Sequence, residues 1–161
     1  LIDNMFETMN AAHGIGLAAP QIGLDIRLFI VDVTPLADDE DYEDIADELK
    51  DFKKVFINAR ILEESGNEWK FNEGCLSIPD VREDVSRKET ILIEYFDENF
   101  VKHTETFSDI RARVIQHEYD HIEGVLFTDK LSPLKKKIIK GKLTKITSGD
   151  IHVGYKMRFL K

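Results

Sequence analysis

The sequence predicts one α+β domain with mostly antiparallel strands, and three observations carry that expectation. Four short segments between residues 26 and 107 concentrate β-branched and aromatic side chains, the mark of strands. Three other segments repeat apolar residues at helical spacing, so helices lie before and after those strands. Apart from one acidic stretch, no internal repeat, long linker or composition break divides residues 1–161, and a single hydrophobic core is expected to serve them all.

In chain order, Leu1, Ile2, Met5, Phe6, Met9 and Ala12 form an apolar stripe that His13-Gly14 stops, giving a helix over residues 1–12. The pattern is already running at Leu1, and a further segment is expected ahead of it. Ile26–Val33, Val55–Ile61, Ile91–Phe96 and Lys102–Phe107 are the four strands, the last two joined by a turn at Asp97-Glu98-Asn99. Ser108-Asp109 is an N-cap pair for a second helix that reaches Ile122 before Gly124. Ser132-Pro133 starts a third, with Leu134, Ile138, Leu143 and Ile146 on one side. Ile151–Phe159 reads as a closing strand.

With 42% hydrophobic and 33% charged residues the chain has the balance of an ordinary soluble domain, which excludes collagenous, low-complexity and wholly disordered classes. No run approaches the roughly 18 apolar residues of a membrane span, and the N-terminus lacks the basic-then-apolar pattern of a signal peptide. A soluble, cytoplasmic protein is expected. The net charge of −9 hides two opposite segments: residues 38–51 hold nine acids and one base, and residues 130–161 hold ten bases and one acid. The acidic stretch reads as a solvated surface loop. The basic tail reads as a solvated helix face or as a docking face for a polar partner.

His117-Glu118-Tyr119-Asp120-His121 matches H-E-x-x-H, and the spacing has a mechanical reason: residues four apart on a helix share a face, so both imidazoles reach one ion. The same face carries Ile110 and Val114, which turns the histidines toward the core. The bland alternative is a pair of buried, hydrogen-bonded histidines with Glu118 in a helical ion pair. A catalytic site needs a third protein ligand. A third histidine six residues after His121 is missing, because Phe127 stands there, and the one glutamate beyond His121 is Glu123, too close to come from another element. Cys75, the only cysteine, remains, in the turn-rich stretch Glu73-Gly74-Cys75-Leu76-Ser77-Ile78-Pro79. Gly14-Ile15-Gly16-Leu17-Ala18-Ala19-Pro20-Gln21 is small and apolar, lacks the sixth-position glycine of a dinucleotide loop, and ends in an amide donor. In isolation it is a helix-to-strand turn.

Three blocks now stand in one order: GIGLAAPQ at 14–21, EGCLSIP at 73–79 and QHEYDH at 116–121. Together they resemble the signature motifs of bacterial peptide deformylases. The resemblance implies an α+β fold whose antiparallel strands pack around the central helix bearing H-E-x-x-H. It implies one divalent ion bound by Cys75, His117 and His121, with Fe²⁺ the resident metal and Zn²⁺, Ni²⁺ or Co²⁺ able to replace it. Water takes the open position, and Glu118 is the general base and then the acid that protonates the leaving amine. The side-chain amide of Gln21 and the backbone N–H of Leu76 stabilise the oxyanion. Ile15, Gly16, Ile110 and Val114 serve substrate binding, the isoleucines and the valine as walls for a methionine side chain. Glu73 and Gly74 meet the substrate backbone, and Arg82 supports the cysteine loop. The substrates are N-formylmethionyl nascent peptides. The basic tail suits approach to the ribosome, since RNA attracts positive charge without sequence reading. Neither DNA nor a membrane is expected as a partner.

Two rivals use the same residues differently. A metallopeptidase would cut an amide inside a chain, but lacks its usual third ligand. A closed structural zinc site would recruit His13, His103 or Asp120 as a fourth ligand, and would leave Glu118 and Gln21 without a task.

Overall fold

The computed structural model describes residues 1–159; Leu160 and Lys161, the end of the basic tail, lie outside the described residues. The elements are α1 (Ile2–Ala11), β1 (Gly16–Ala18), β2 (Leu28–Asp32), α2 (Ala46–Leu49), β3 (Lys53–Cys75), β4 (Ile78–Phe96), β5 (Lys102–Ser108), α3 (Asp109–Ile122) and α4 (Pro133–Ser148). The strands form one antiparallel sheet in the order β1-β2-β3-β4-β5. Helix α3 packs across it with Ala112 and Ile115 fully buried, against a cluster that includes Phe29, Val31, Phe56 and Ile91. The α+β class with antiparallel strands around the H-E-x-x-H helix is the architecture found.

Helix α1 buries Met5, Phe6 and Met9 against Leu17, Leu28, Ile30 and Val55, as its apolar stripe requires. The glycine-rich segment is more than a turn: Gly16, Leu17 and Ala18 pair with Val31, Ile30 and Phe29 as an edge strand. The start of α3 differs in detail from expectation. The Ser108 hydroxyl pairs with that of Thr90 at 3.0 Å, and Asp109, with φ 57°, instead caps the helix by accepting from the Arg111 N–H at 3.0 Å.

Strands β3 and β4 run far beyond the expected 55–61 and 91–96, to 23 and 19 residues. Their outer stretch carries exposed Glu63, Glu64, Asn67 and Glu68, which erase the alternation a half-buried strand displays. Pairing of backbone groups, not burial, holds that stretch. Register shifts between Ile57/Arg60, Ile61/Glu63 and Ser65/Glu68 bend the hairpin. Its tip, the two-residue turn Leu76-Ser77 between Cys75 and Ile78, is thereby delivered close to α3.

Three further expectations are corrected. The acidic stretch 38–51 is solvated as expected, with all nine acids exposed, but it is not an irregular loop: it folds into a 3₁₀ turn over Glu40–Ile45 and then α2, anchored by fully buried Leu49 with Tyr42 and Ile45 on the main core. Acids at the starts of short helical turns suit the N-terminal end of the helix dipole. In α4, Leu134 and Ile138 are each 69% exposed, and the packed face is Ile139 with Leu143 and Ile146. Segment 151–159 is not a strand. It runs irregularly, with Ile151, Val153 and Tyr155 half-buried and His152 and Gly154 exposed. No helix among the described residues is long and apolar enough to cross a membrane.

Candidate metal centre and active site

Helix α3 supplies two imidazoles and the hairpin tip supplies a thiol. The rings of His117 and His121 meet edge-on with centroids 5.1 Å apart, and Cys75 Sγ lies 3.2 Å from His121 Nε2. One ligand atom from each of the three residues falls within 4.8 Å of the others, and among the described residues this is the one such cluster of His, Cys, Asp and Glu. Tetrahedral coordination by two nitrogens and a sulfur separates ligand atoms by about 3.3–3.6 Å. Two imidazole nitrogens and one thiol sulfur gathered within 4.8 Å are a donor set whose chemistry suits a first-row divalent ion. The fourth ligands a closed site would need are engaged elsewhere: His103 pairs with Asp97 at 2.7 Å, and Asp120 with Arg87 at 2.7 Å and Lys130 at 3.2 Å. His13 lies on the cavity wall and outside the cluster.

Glu73 holds the site from behind. Burial disfavours its charge, but Arg87 donates twice, from Nε at 2.7 Å and Nη2 at 2.9 Å, and Arg113 Nη1 adds a third bond at 2.9 Å. With the His117 contact these outweigh burial and hold the carboxyl well below the usual range. His117 Nδ1 lies 3.0 Å from Glu73 Oε2, which assigns the proton to Nδ1 and leaves Nε2 as the donor toward an ion. The Glu73 carboxylate, 4% exposed, is thus committed to His117 and the two arginines. Arg87 and Arg113 were missed in the sequence. The available signal was a charged residue, Arg113, on the otherwise apolar stripe of Ile110 and Val114, since a buried guanidinium demands a carboxylate.

Glu118 stands beside the two histidines with 4% exposure, and its Oε2 has no hydrogen-bond partner. Burial pushes its carboxyl up to about 7, against the pull of charged His117 and Arg87. Burial also lowers His121 to about 3, helped by His117 and Arg87. At His117 burial is overcome by Cys75 and Glu73, which raise it to about 10. Glycine at 16 has a steric reason: a Cβ there would lie 2.3 Å from Glu118 Oε1. Gln21 is oriented at both ends. Its Oε1 accepts from the Ala18 N–H at 2.8 Å, so its Nε2 faces the centre, donating to Ser77 Oγ at 3.0 Å and toward Cys75 Sγ at 3.5 Å.

A cavity of about 630 Å³ opens onto these groups and is lined by Ile15, Gly16, Gly74, Leu76, Ile110 and Val114 among others. Every substrate-binding residue expected from the sequence borders it, Glu73 included. Arg82 also borders the cavity and braces the hairpin, donating to Asn72 Oδ1 at 2.9 Å and to the Asn72 carbonyl at 2.6 Å.

Two helical histidines, a hairpin cysteine and a buried carboxyl beside one cavity form a donor set that could hold one divalent ion next to an acid–base group, the arrangement of a metal-dependent hydrolase. Comparison with known proteins then narrows the class. Residues 1–137 match the family model for polypeptide deformylase. Peptide deformylase of Christiangramia forsetii is 62% identical over 160 residues, covering 99% of this chain and 82% of the relative. That of Flavobacterium johnsoniae is 62% identical over 159 residues, covering 98% and 81%. The crystal structure of a peptide deformylase from Legionella pneumophila superimposes with a TM-score of 0.75 at 37% identity, over 92% of this chain and 80% of that one. The chain belongs to the polypeptide deformylase family.

Proposed function

We infer that this protein removes the N-formyl group from the formylmethionine that begins newly synthesised proteins, releasing formate. The observation that carries the reading is the buried Glu118 carboxyl, its Oε2 without a hydrogen-bond partner, next to the Cys75–His117–His121 cluster on the wall of the cavity. Cys75, His117 and His121 would hold a divalent ion, which when bound would supply Lewis acidity to the site. Glu118 takes a proton from the attacking water as its oxygen bonds to the formyl carbon. Gln21 Nε2 and the Leu76 N–H donate to the carbonyl oxygen as it becomes an oxyanion. When the carbon–nitrogen bond breaks, Glu118 returns the proton to the departing amine, leaving formate and a free N-terminus. Ile15, Ile110 and Val114 take the methionine side chain, and the backbone at Glu73 and Gly74 aligns the peptide.

Fe²⁺ is the proposed resident ion, with Zn²⁺, Ni²⁺ or Co²⁺ as substitutes, since one thiolate with two imidazoles accepts all of them. The proposed setting is the cytoplasm, with residues 1–161 acting as one catalytic unit. The lysines of α4 are proposed to bring the enzyme to the ribosome; reversing Lys135, Lys136, Lys137 and Lys140 to Glu should weaken low-salt ribosome binding, and undiminished binding would refute that part. The central test is formate release from N-formyl-Met-Ala-Ser by Fe²⁺- or Ni²⁺-loaded protein without oxygen, beside Glu118→Ala at equal metal content. Formate from the parent and a loss of about 10²-fold or more in the variant is expected. A folded, fully loaded parent that yields no formate overturns the reading.

A further inference from the structure

Segment 151–155, which the sequence pattern cast as a strand, lies along the active-site cavity, with His152, Val153, Gly154 and Tyr155 on its wall. Half-buried residues alternate with exposed ones, yet the segment joins no sheet, so side chains hold it in place. One contact reaches the centre. The Tyr155 hydroxyl donates to the Leu76 carbonyl at 2.7 Å, across 79 positions of sequence. That carbonyl shares a rigid peptide plane with the Ser77 N–H, which points at Cys75 Sγ from 3.4 Å. Ser77 Oγ in turn accepts from Gln21 Nε2 at 3.0 Å. Turning the plane would move the N–H off the sulfur and Ser77 off the glutamine together. The Leu76-Ser77 turn has no neighbouring strand to prevent this, being the tip of the β3–β4 hairpin.

We propose that Tyr155 is a positioning residue: its hydroxyl locks the Leu76–Ser77 peptide so that the Ser77 N–H supports the Cys75 ligand and Gln21 stays aimed at the reacting carbonyl. Donors to a ligating sulfur and to its neighbours tune the ligand and its ion as strongly as some ligands do.

The inference rests on the deformylase reading for its kinetic arm and is independent of it in the other two. The test compares parent, Tyr155→Phe and Tyr155→Ala as Co²⁺-loaded proteins. Amide exchange at Ser77 and the sulfur-to-cobalt charge-transfer band are read beside kcat and KM for N-formyl-Met-Ala-Ser. In Tyr155→Phe, Ser77 exchange should rise about tenfold, as loss of one restraining hydrogen bond allows. The band should shift, and kcat should fall about three- to tenfold with KM nearly constant. Parent-like Ser77 exchange and an unmoved band in folded Tyr155→Phe overturn the proposal, as does impairment confined to Tyr155→Ala, which would assign the effect to ring packing. A parent inactive on the formyl peptide sinks the deformylase reading, while exchange and spectrum still decide the clamp.

Discussion

Gly16 and Glu118 leave no room for a side chain between them, because a methyl group at 16 would overlap the Glu118 carboxyl. Gly16→Ala must displace the carboxyl or the edge strand, and a misplacement of about 1 Å at a reacting group costs roughly 10²-fold in rate. We expect that loss in kcat/KM with the circular dichroism of the parent; full activity in a folded variant would remove Glu118 from its role. Glu73 is the second such residue. Glu73→Gln leaves Arg87 and Arg113 buried against a neutral amide, and breaking a buried ion network of this kind costs about 3–5 kcal/mol. It also removes the anion that orients His117, so metal affinity should fall about 10- to 100-fold in a chelator competition. A urea midpoint and metal affinity both equal to the parent's would contradict this account. Of these residues, Glu118 and Gly16 were legible in short motifs. The task of Glu73 was not, since its partners come from β4 and α3, far away in sequence.

At the scale of elements, α4 offers a direct test of which face is packed. Ile139→Ala should cost about 2–5 kcal/mol by leaving a cavity beside Val81 and Leu131. Ile138→Ser, on the exposed side, should stay within about 0.5 kcal/mol in the same denaturant titration. The reverse ranking would restore the face that spacing suggested. That face failed because isoleucines stand at both 138 and 139, so periodicity alone selects no side. The β4–β5 pair carries a pH-sensitive contact: Glu105 meets the Tyr95 hydroxyl and, at 3.1 Å, Lys54. Burial opposes its charge, but these two partners prevail and hold the carboxyl below its ordinary value. A depressed carboxyl stabilises the fold above its unfolded pKa of about 4.3, and that stability is lost as pH falls below it. Glu105→Gln should therefore flatten the decline in stability at acid pH, by less than about 1 kcal/mol because solvent reaches the pair. An unchanged acid-unfolding curve would mean the contact contributes nothing.

For the whole molecule, a metal held by the proposed ligands would join two parts that the chain separates by 42 positions, Cys75 at the hairpin end and His117 on α3. Binding only the folded state at a free concentration 100 times Kd adds about 2.7 kcal/mol. Chelation should accordingly lower Tm by roughly 5–10 °C for a chain of this size. No shift would mean that the ion does not bridge hairpin and helix. The hairpin can make that bridge because its register shifts bend an otherwise long ribbon toward the helix, a curvature with no counterpart in hydrophobic alternation.

Sequence by itself determined the antiparallel α+β class and singled out His117 and His121 with their carboxyl neighbour, and Cys75 by elimination, as one candidate site that the fold brings together. Helical period and residue chemistry are local properties that a single segment displays. Tertiary structure alone decided the length of the β3–β4 hairpin, the anchoring of the acidic stretch through Leu49, the packed face of α4 and the assignment of Glu73 to His117. It also decided that segment 151–155 lies beside the cavity and not in a sheet. Each of those depends on which distant group offers a partner for a backbone amide, a buried charge or an apolar side chain, and such partners exist only once the chain has closed on itself.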